Sequence, residues 1–313
     1  MNERESFLGE LNVLFWGMPF GTSTIVLERL IDSGVNVAGV ILPADAVPHL
    51  SPVSQSGWSR LQPPATTGQL ILSEHTTGGT AEVAWAAGLP VFAISDLSHP
   101  DTSTLLAALW ADVAVVGCFT QRIPRAILQL PRFGFLNLHP SLLPAYRGPT
   151  PVFWQLRDGA GMGVTVHYLD AGLDTGDIAA QIAVSLPDGI SEADAEQHLM
   201  LSGVVLLRGV LERLAEGISE RRPQPPGGSY FGFPDESDFA LSTDRPARQA
   251  YNFMRGTAAR GVPYPVDIAG RTELLTIADD YKSDLELDRL SVRHGRHILI
   301  RFNPGILYAR SIR

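Results

Sequence analysis

The chain has 313 residues, which at roughly 150 residues per domain points to about two domains. Hydrophobic residues make up 45%, enough for a sizeable core, and this excludes global disorder. With 24 basic against 33 acidic side chains the formal net charge is −9, which argues against a strongly basic nucleic-acid binder but leaves room for a local basic face. Lys282 is the single lysine, so arginine carries nearly all the positive charge. One cysteine, Cys118, leaves no intrachain disulfide and no cysteine-rich zinc site. No apolar run approaches the ~20 residues a membrane-spanning helix needs. Met1 to Glu5 shows no basic region leading into an apolar one, so a soluble cytoplasmic chain is the expectation.

From Leu11 to about Ala183 short apolar runs alternate with helical patterns. Leu11 to Gly17 is a compact apolar strand. Ser23 to Ser33 is an amphipathic helix with Ile25, Val26, Leu30 and Ile31 on one side, ended by Gly34. Val35 to Leu42, Val113 to Phe119 and Phe135 to His139 repeat the strand signal, with a helix over Thr102 to Ala111. This alternation predicts an α/β fold with a doubly wound, Rossmann-like parallel sheet, whose ligands sit at the carboxyl ends of the strands. Pro43 to Thr80 is rich in Pro, Ser, Thr and Gly and reads as a long surface loop with little structure. Ser191 to Asp194 opens a helical pattern like a capping box, running to about Glu216. Arg221 to Ser229 reads as a Pro/Gly linker. A short helix over Arg245 to Arg255 and strand-like runs at Leu274 to Ala278 and His297 to Phe302 then predict a small β-rich, OB-like C-terminal domain. The expected division is a catalytic domain over 1–220, a linker over 221–229 and the β-rich domain over 230–313.

Gly17-Met18-Pro19-Phe20-Gly21 follows the first strand, where a dinucleotide fold carries its glycine fingerprint. The spacing differs and a proline interrupts it, so it reads as a tight strand-to-helix turn. No Walker A or HExxH sequence is present. The His and Asp residues between His139 and Asp177 lack a recognised ligand spacing, and no metal is expected.

The stretch Asn137 to Asp177 concentrates chemistry. Asn137 and His139 end an apolar strand on one face, because strand side chains alternate with period two. Gly163 to Asp170 is a further strand, followed by the Gly-rich Ala171 to Asp177. A carboxylate in that loop can approach an imidazole at the neighbouring strand end. Asn, His and Asp together suit transfer of a carbonyl group to an amine: one donates to an oxyanion, one manages protons near neutrality, and one biases the imidazole. By residue type alone, the alternative is a turn with ordinary hydrogen bonds and a loop aspartate.

Asn137-Leu138-His139-Pro140-Ser141-Leu142-Leu143-Pro144, Tyr146-Arg147-Gly148-Pro149, Gly163-Val164-Thr165-Val166-His167 and Gly172-Leu173-Asp174-Thr175-Gly176-Asp177 together resemble the signature of the folate-dependent formyltransferases. Val113 to Pro124 and the first strand and turn resemble the same family more loosely. The resemblance implies catalytic roles for Asn137, His139 and Asp174, with 10-formyltetrahydrofolate as formyl donor and no metal. It also implies a folate site at Phe119, Gln121, Arg122 and Ile123, at Ser141, Leu142, Leu143 and Pro144, and along the backbone from Leu169 and Asp170 to Asp174. Total length and the β-rich domain after a Pro-rich linker are most similar to the members that act on initiator methionyl-tRNA. Those members typically carry a basic loop after the second strand, whereas Pro43 to His75 holds only Arg60. Arg289, Arg293, Arg296, Arg301, Arg310 and Arg313, with no Asp or Glu among them, form a C-terminal segment suited either to a phosphate backbone or to a solvated sheet surface. The acceptor stays open among methionyl-tRNA, an amino sugar and, for a hydrolase, water. A non-catalytic folate- or RNA-binding module is the remaining alternative.

Overall fold

The structure is a computed structural model that describes residues 11–47, 56–63 and 79–312. The chain divides into two compact units that interleave along the sequence: Met1–His139, Val164–Ile182 and Met200–Pro226 form the first, and Pro140–Gly163, Ala183–Leu199 and Gly227–Arg313 the second.

The first unit is built on β1 (Val13–Gly17), β2 (Val37–Pro43), β3 (Trp58–Leu61), β4 (Val91–Ile94), β5 (Val113–Gly117), β6 (Phe135–His139), β7 (Met162–Tyr168) and β8 (Ile178–Val184), in the sheet order β3-β4-β2-β1-β5-β6-β7-β8. β4, β2, β1, β5 and β6 run parallel, and β3 and β7 pair antiparallel with their neighbours. The expected doubly wound sheet is therefore a mixed sheet around a parallel centre. Its central strands are buried from end to end, as a sheet covered on both faces requires. One face packs Val13, Phe15, Leu136, Leu138 and Val166 under α1 (Thr22–Asp32). The other packs Leu14, Trp16, Ala114, Val116 and Phe135. α1 buries Val26, Leu27 and Leu30 and ends where Gly34, at φ 78°, donates to the Ile31 carbonyl and Val35 to that of Leu30. This double bond pattern is the Schellman stop that a glycine in the left-handed region permits.

One reading needs correction, and two elements go beyond the sequence reading. The expected loop over 43–80 contains a short 3-10 turn at Ala44–Ala46 and the edge strand β3; residues 48–55 and 64–78 lie outside the described residues. A four-residue strand among Pro- and Ser-rich neighbours carries too little pattern to stand out. β4 and α2 (Thr80–Ala86), absent from the sequence reading, follow directly. α3 (Pro100–Ala108) and α4 (Arg125–Leu128) complete the unit's shorter helices.

The second unit holds α5 (Pro151–Asp158), α7 (Ala247–Thr257) and an antiparallel sheet of β9 (Tyr264–Ile268), β10 (Arg271–Lys282), β11 (Ser291–His294), β12 (His297–Arg301) and β13 (Ile306–Ser311). These five strands are the expected β-rich region. α5 and α7 share its core: Phe153 meets Phe253 edge-on at 5.4 Å, and Phe239 and Tyr264 close around them. A long helix, α6 (Glu192–Ala215), contributes residues to both units. At its start the Ser191 hydroxyl accepts from the Asp194 N–H at 3.0 Å, the cap the sequence signalled.

The arginine-rich segment is partly neutralised within this unit. Arg293 pairs with Glu273 at 2.5 Å and Arg310 with Asp279 at 2.8 Å. Arg289, Arg296 and Arg301 are exposed, and Arg313 lies outside the described residues. Among the described residues no helix is long and apolar enough to cross a membrane.

Candidate active site

Antiparallel register sets the site. β6 and β7 pair Asn137 with His167 and His139 with Thr165, so four polar side chains share one face near the end of a parallel strand. The other face of the same pair carries Leu138 and Val166 into the core. Asn137 Nδ2 and His167 Nε2 are 3.1 Å apart, and His167 Nδ1 lies 3.0 Å from the Tyr168 carbonyl. Thr165 accepts from Gln181 at 2.8 Å.

The carboxylate arrives from the Gly-rich loop after β7. Asp174 stands at φ 54° in that loop, and its Oδ1 is 3.8 Å from His139 Nδ1 and 3.7 Å from His167 Nε2. The loop's glycines are required by space: a Cβ on Gly176 would sit 1.9 Å from the Tyr168 carbonyl oxygen. Gln224 donates to the carbonyls of Asp174 and Gly176, both at 2.8 Å, and so pins the carboxylate's backbone. Asp170 accepts from the Gly172 N–H at 2.9 Å and the Thr175 hydroxyl at 2.7 Å, an Asx-type turn that folds the loop.

The two imidazoles differ in environment. His167 is fully buried. Burial first, and then the neighbouring His139, push its pKa down to about 4, against a smaller upward pull from Asp174, the Tyr168 carbonyl and Asp170. His139 is also buried. A carboxylate shared between two rings, one of them held neutral, lets Asp174 serve the other. Among the described residues no group of three or more His, Cys, Asp and Glu is placed to hold a metal ion.

The remaining predicted site residues fall in two places. In the first unit, Phe119 packs edge-on against Trp16 at 5.1 Å, Gln121 reaches Asp45 at 3.4 Å, and Ile123 is buried. Arg122 donates to the Ala171 carbonyl at 2.5 Å, tying the loop after β5 to the loop after β7. Beside them a cleft of about 500 Å³ is lined by Leu128, Phe135, Tyr168, Leu169 and Asp170. Ser141, Leu142, Leu143 and Pro144 belong to the second unit, where the buried Ser141 hydroxyl donates to the Ala145 carbonyl at 2.7 Å and Leu143-Pro144 is a cis peptide. The sequence reading gave His167 and Thr165 no role. Both lie in Gly163-Val164-Thr165-Val166-His167, one of the segments that carry the family resemblance, and the polar alternation there is the further signal.

A doubly wound α/β unit with Asn, His and Asp gathered at its strand ends defines a class in which a polar site is carried on a Rossmann-like sheet. A family model described as Formyl transferase matches residues 67–204. A methionyl-tRNA formyltransferase of Roseiflexus castenholzii is 32% identical over 83% of this chain and 80% of its own length. One of Chloroflexus aggregans is 36% identical over 68% of this chain, which thereby spans 62% of that relative. The chain belongs to the formyl transferase family. The solved N-formyltransferase from Helicobacter canadensis, in complex with folinic acid and dTDP-3-aminofucose, superposes with a TM-score of 0.66 over 96% of this chain and 99% of its own, at 14% identity, a likeness of fold.

Proposed function

We propose that this protein transfers a formyl group from 10-formyltetrahydrofolate to an amine, with methionyl-tRNA as the acceptor. The observation that carries the reading is the linked set Asn137, His139 and Asp174 at the end of β6 and in the loop after β7, in a chain of the formyl transferase family. The donor supplies an activated formyl amide. The acceptor nitrogen bonds to the formyl carbon as the bond from that carbon to the folate nitrogen breaks. Asn137 and the imidazolium of His139 donate hydrogen bonds to the oxygen on which negative charge develops. Asp174 stabilises that imidazolium and, through water, offers a route for the proton passing from the amine to the leaving nitrogen. The 3.8 Å separation of His139 and Asp174 is beyond a direct hydrogen bond. Such contacts often tighten only with substrate bound.

The residues present fit a folate. The cleft beside Leu169 has apolar walls in Leu128 and Phe135, suited to a flat ring, with Leu169, Asp170 and Ala171 along its lining. By the family resemblance, Phe119, Gln121, Arg122 and Ile123, and Ser141, Leu142, Leu143 and Pro144, are the further folate-binding residues of this proposal. The functional division into a catalytic domain over 1–220, a linker over 221–229 and a C-terminal domain over 230–313 belongs to the same proposal. The tRNA would meet Arg289, Arg296 and Arg301, because Arg293 and Arg310 are already paired.

The deciding experiment measures formyl release from 10-formyltetrahydrofolate with methionyl-tRNA, with nucleotide-linked amino sugars, and with water alone. Turnover confined to methionyl-tRNA supports the reading. Turnover with an amino sugar or with water alone replaces the acceptor, and no formyl release with any of them removes the activity.

A further inference from the structure

We propose that His167 is a positioning residue: its neutral ring, fixed with the hydrogen on Nδ1, presents Nε2 as the acceptor that orients the Asn137 amide and leaves Asp174 to His139. The inference deepens the formyl-transfer reading and rests on it for its catalytic consequence.

Hydrogen-bond chemistry sets the tautomer. A carbonyl oxygen can only accept, so the 3.0 Å contact with the Tyr168 carbonyl puts the hydrogen on Nδ1. In a neutral imidazole the other nitrogen is then a bare lone pair. At 3.1 Å from Asn137 it can be met only by an N–H, so the amide turns its NH₂ toward the ring. One N–H is held there, and the second remains for the oxygen that gains charge. With the amide reversed, carbonyl oxygen would face lone pair, a buried repulsion. The cross-strand pairing of Asn137 with His167 makes this contact a consequence of sheet register.

The same ring decides which histidine the carboxylate serves. Asp174 Oδ1 is nearly equidistant from His139 Nδ1, at 3.8 Å, and His167 Nε2, at 3.7 Å. A second proton on His167 would claim Asp174 and turn the Asn137 amide away. Among the described residues, the charged or titratable groups that act on His167 are His139, Asp174 and Asp170. Complete burial disfavours the imidazolium most, and the pKa of about 4 keeps the ring neutral across the range where formyl transfer would operate.

Nitrogen-15 histidine spectra of the full chain give a test that needs no substrate. His167 is expected as the Nδ1–H tautomer, with Nε2 unprotonated from pH 8 down to near 5. An Nε2–H tautomer, or titration between pH 6 and 7, overturns the proposal. In the formyl-transfer assay, His167→Phe keeps ring volume and removes the acceptor. It is expected to lower kcat by about 10- to 100-fold with little change in the KM for folate, the scale of a misplaced catalytic group. His167→Gln returns an acceptor near the Nε2 position and should recover most of the loss. In an Asn137→Ala background, His167→Phe should cost less than about 3-fold, because the contact it serves is gone. Additive losses, or a Gln variant no better than Phe, refute the positioning role. A wild-type chain without formyl transfer would remove the proposed function, and the tautomer measurement would still decide the state of His167.

Discussion

If Asn137 acts as the proposed oxyanion donor, replacing it with alanine separates catalysis from stability, because each loss has its own magnitude. Loss of one oxyanion donor lowers turnover by about 100- to 1000-fold, or roughly 2.7 to 4 kcal/mol of barrier. The same change leaves Nε2 of the fully buried His167 without that donor. An orphaned buried acceptor costs about 1 to 3 kcal/mol. Asn137 is only half-buried, so a water can fill part of the vacated space, and the lower end of that range is expected. For a chain of this size that is a fall in Tm of about 2 to 4 °C. Against a total stability of about 5 to 15 kcal/mol, such a loss leaves nearly every molecule folded. Unfolding therefore cannot account for a hundredfold fall in rate. Single-turnover formyl transfer at saturating donor and acceptor, with a thermal melt of the same sample, measures both quantities. An alanine variant within about 3-fold of wild type, with chemistry shown to be rate-limiting, would take Asn137 out of the mechanism.

His139→Ala is expected to lose about 100- to 1000-fold in kcat on the same grounds, while a ligand filling the folate cleft binds undiminished in a titration. Charge reversal at Arg289, Arg296 and Arg301 should raise the KM for methionyl-tRNA and flatten the log–log salt dependence of its binding by about 0.7 to 0.9 per lost phosphate contact; indifference to both would move the acceptor toward an amino sugar. Ending the chain at Pro226 strips Val152, Phe153, Trp154 and Leu156 of their shared core with Ala250, Phe253 and Met254. At about 1.5 to 3 kcal/mol for each exposed side chain the loss rivals the whole stability, so the fragment should bind a hydrophobic dye and melt without a cooperative transition. Asp188 is held down to about 2 chiefly by its hydrogen bonds from Arg248, with Tyr281 and Asn252 adding to them. Its stabilisation is complete above the ordinary carboxylate range and is lost as pH falls from about 3.8 toward 2. The difference between wild-type and Asp188→Asn melting curves should therefore shrink through that window, and a constant difference would contradict the assignment.

Strands of the parallel centre were legible because a sheet covered on both faces demands unbroken apolar runs, and Val13–Gly17 and Val113–Gly117 are buried throughout. Elements whose pattern the environment erases were missed. α5 buries six successive residues from Pro151 to Leu156, so no helical period survives to be read. Of the twelve residues of β10 only Leu274 to Ala278 read as strand, because the buried positions Leu275 and Ala278 are three apart, a spacing set by irregular pairing with β13 that breaks the alternation. The interleaving of the two units was equally hidden. A Pro- and Gly-rich stretch reads as a boundary, yet residues 140–163 and 183–199 join the unit that follows it. Such membership is decided by which apolar faces meet, and that information is spread over distant segments.

The site divides along the same line. Asn137 and His139 could be paired from sequence because they are two residues apart on one strand, where the period of two fixes their shared face. The glycines, which the crowding at Gly176 shows to be sterically required, marked the loop as one that could bring in a carboxylate, and the family resemblance singled out Asp174 within it. His167 stood within the family signature, but nothing in its local sequence marked a role. Its part depends on lying opposite Asn137, thirty residues earlier, and a one-residue slip of β7 would put Val166 there instead. The register is enforced from the far face, where Leu138 and Val166 must enter the core. The apolar residues that seem only to hold the sheet together therefore also select which imidazole faces Asn137.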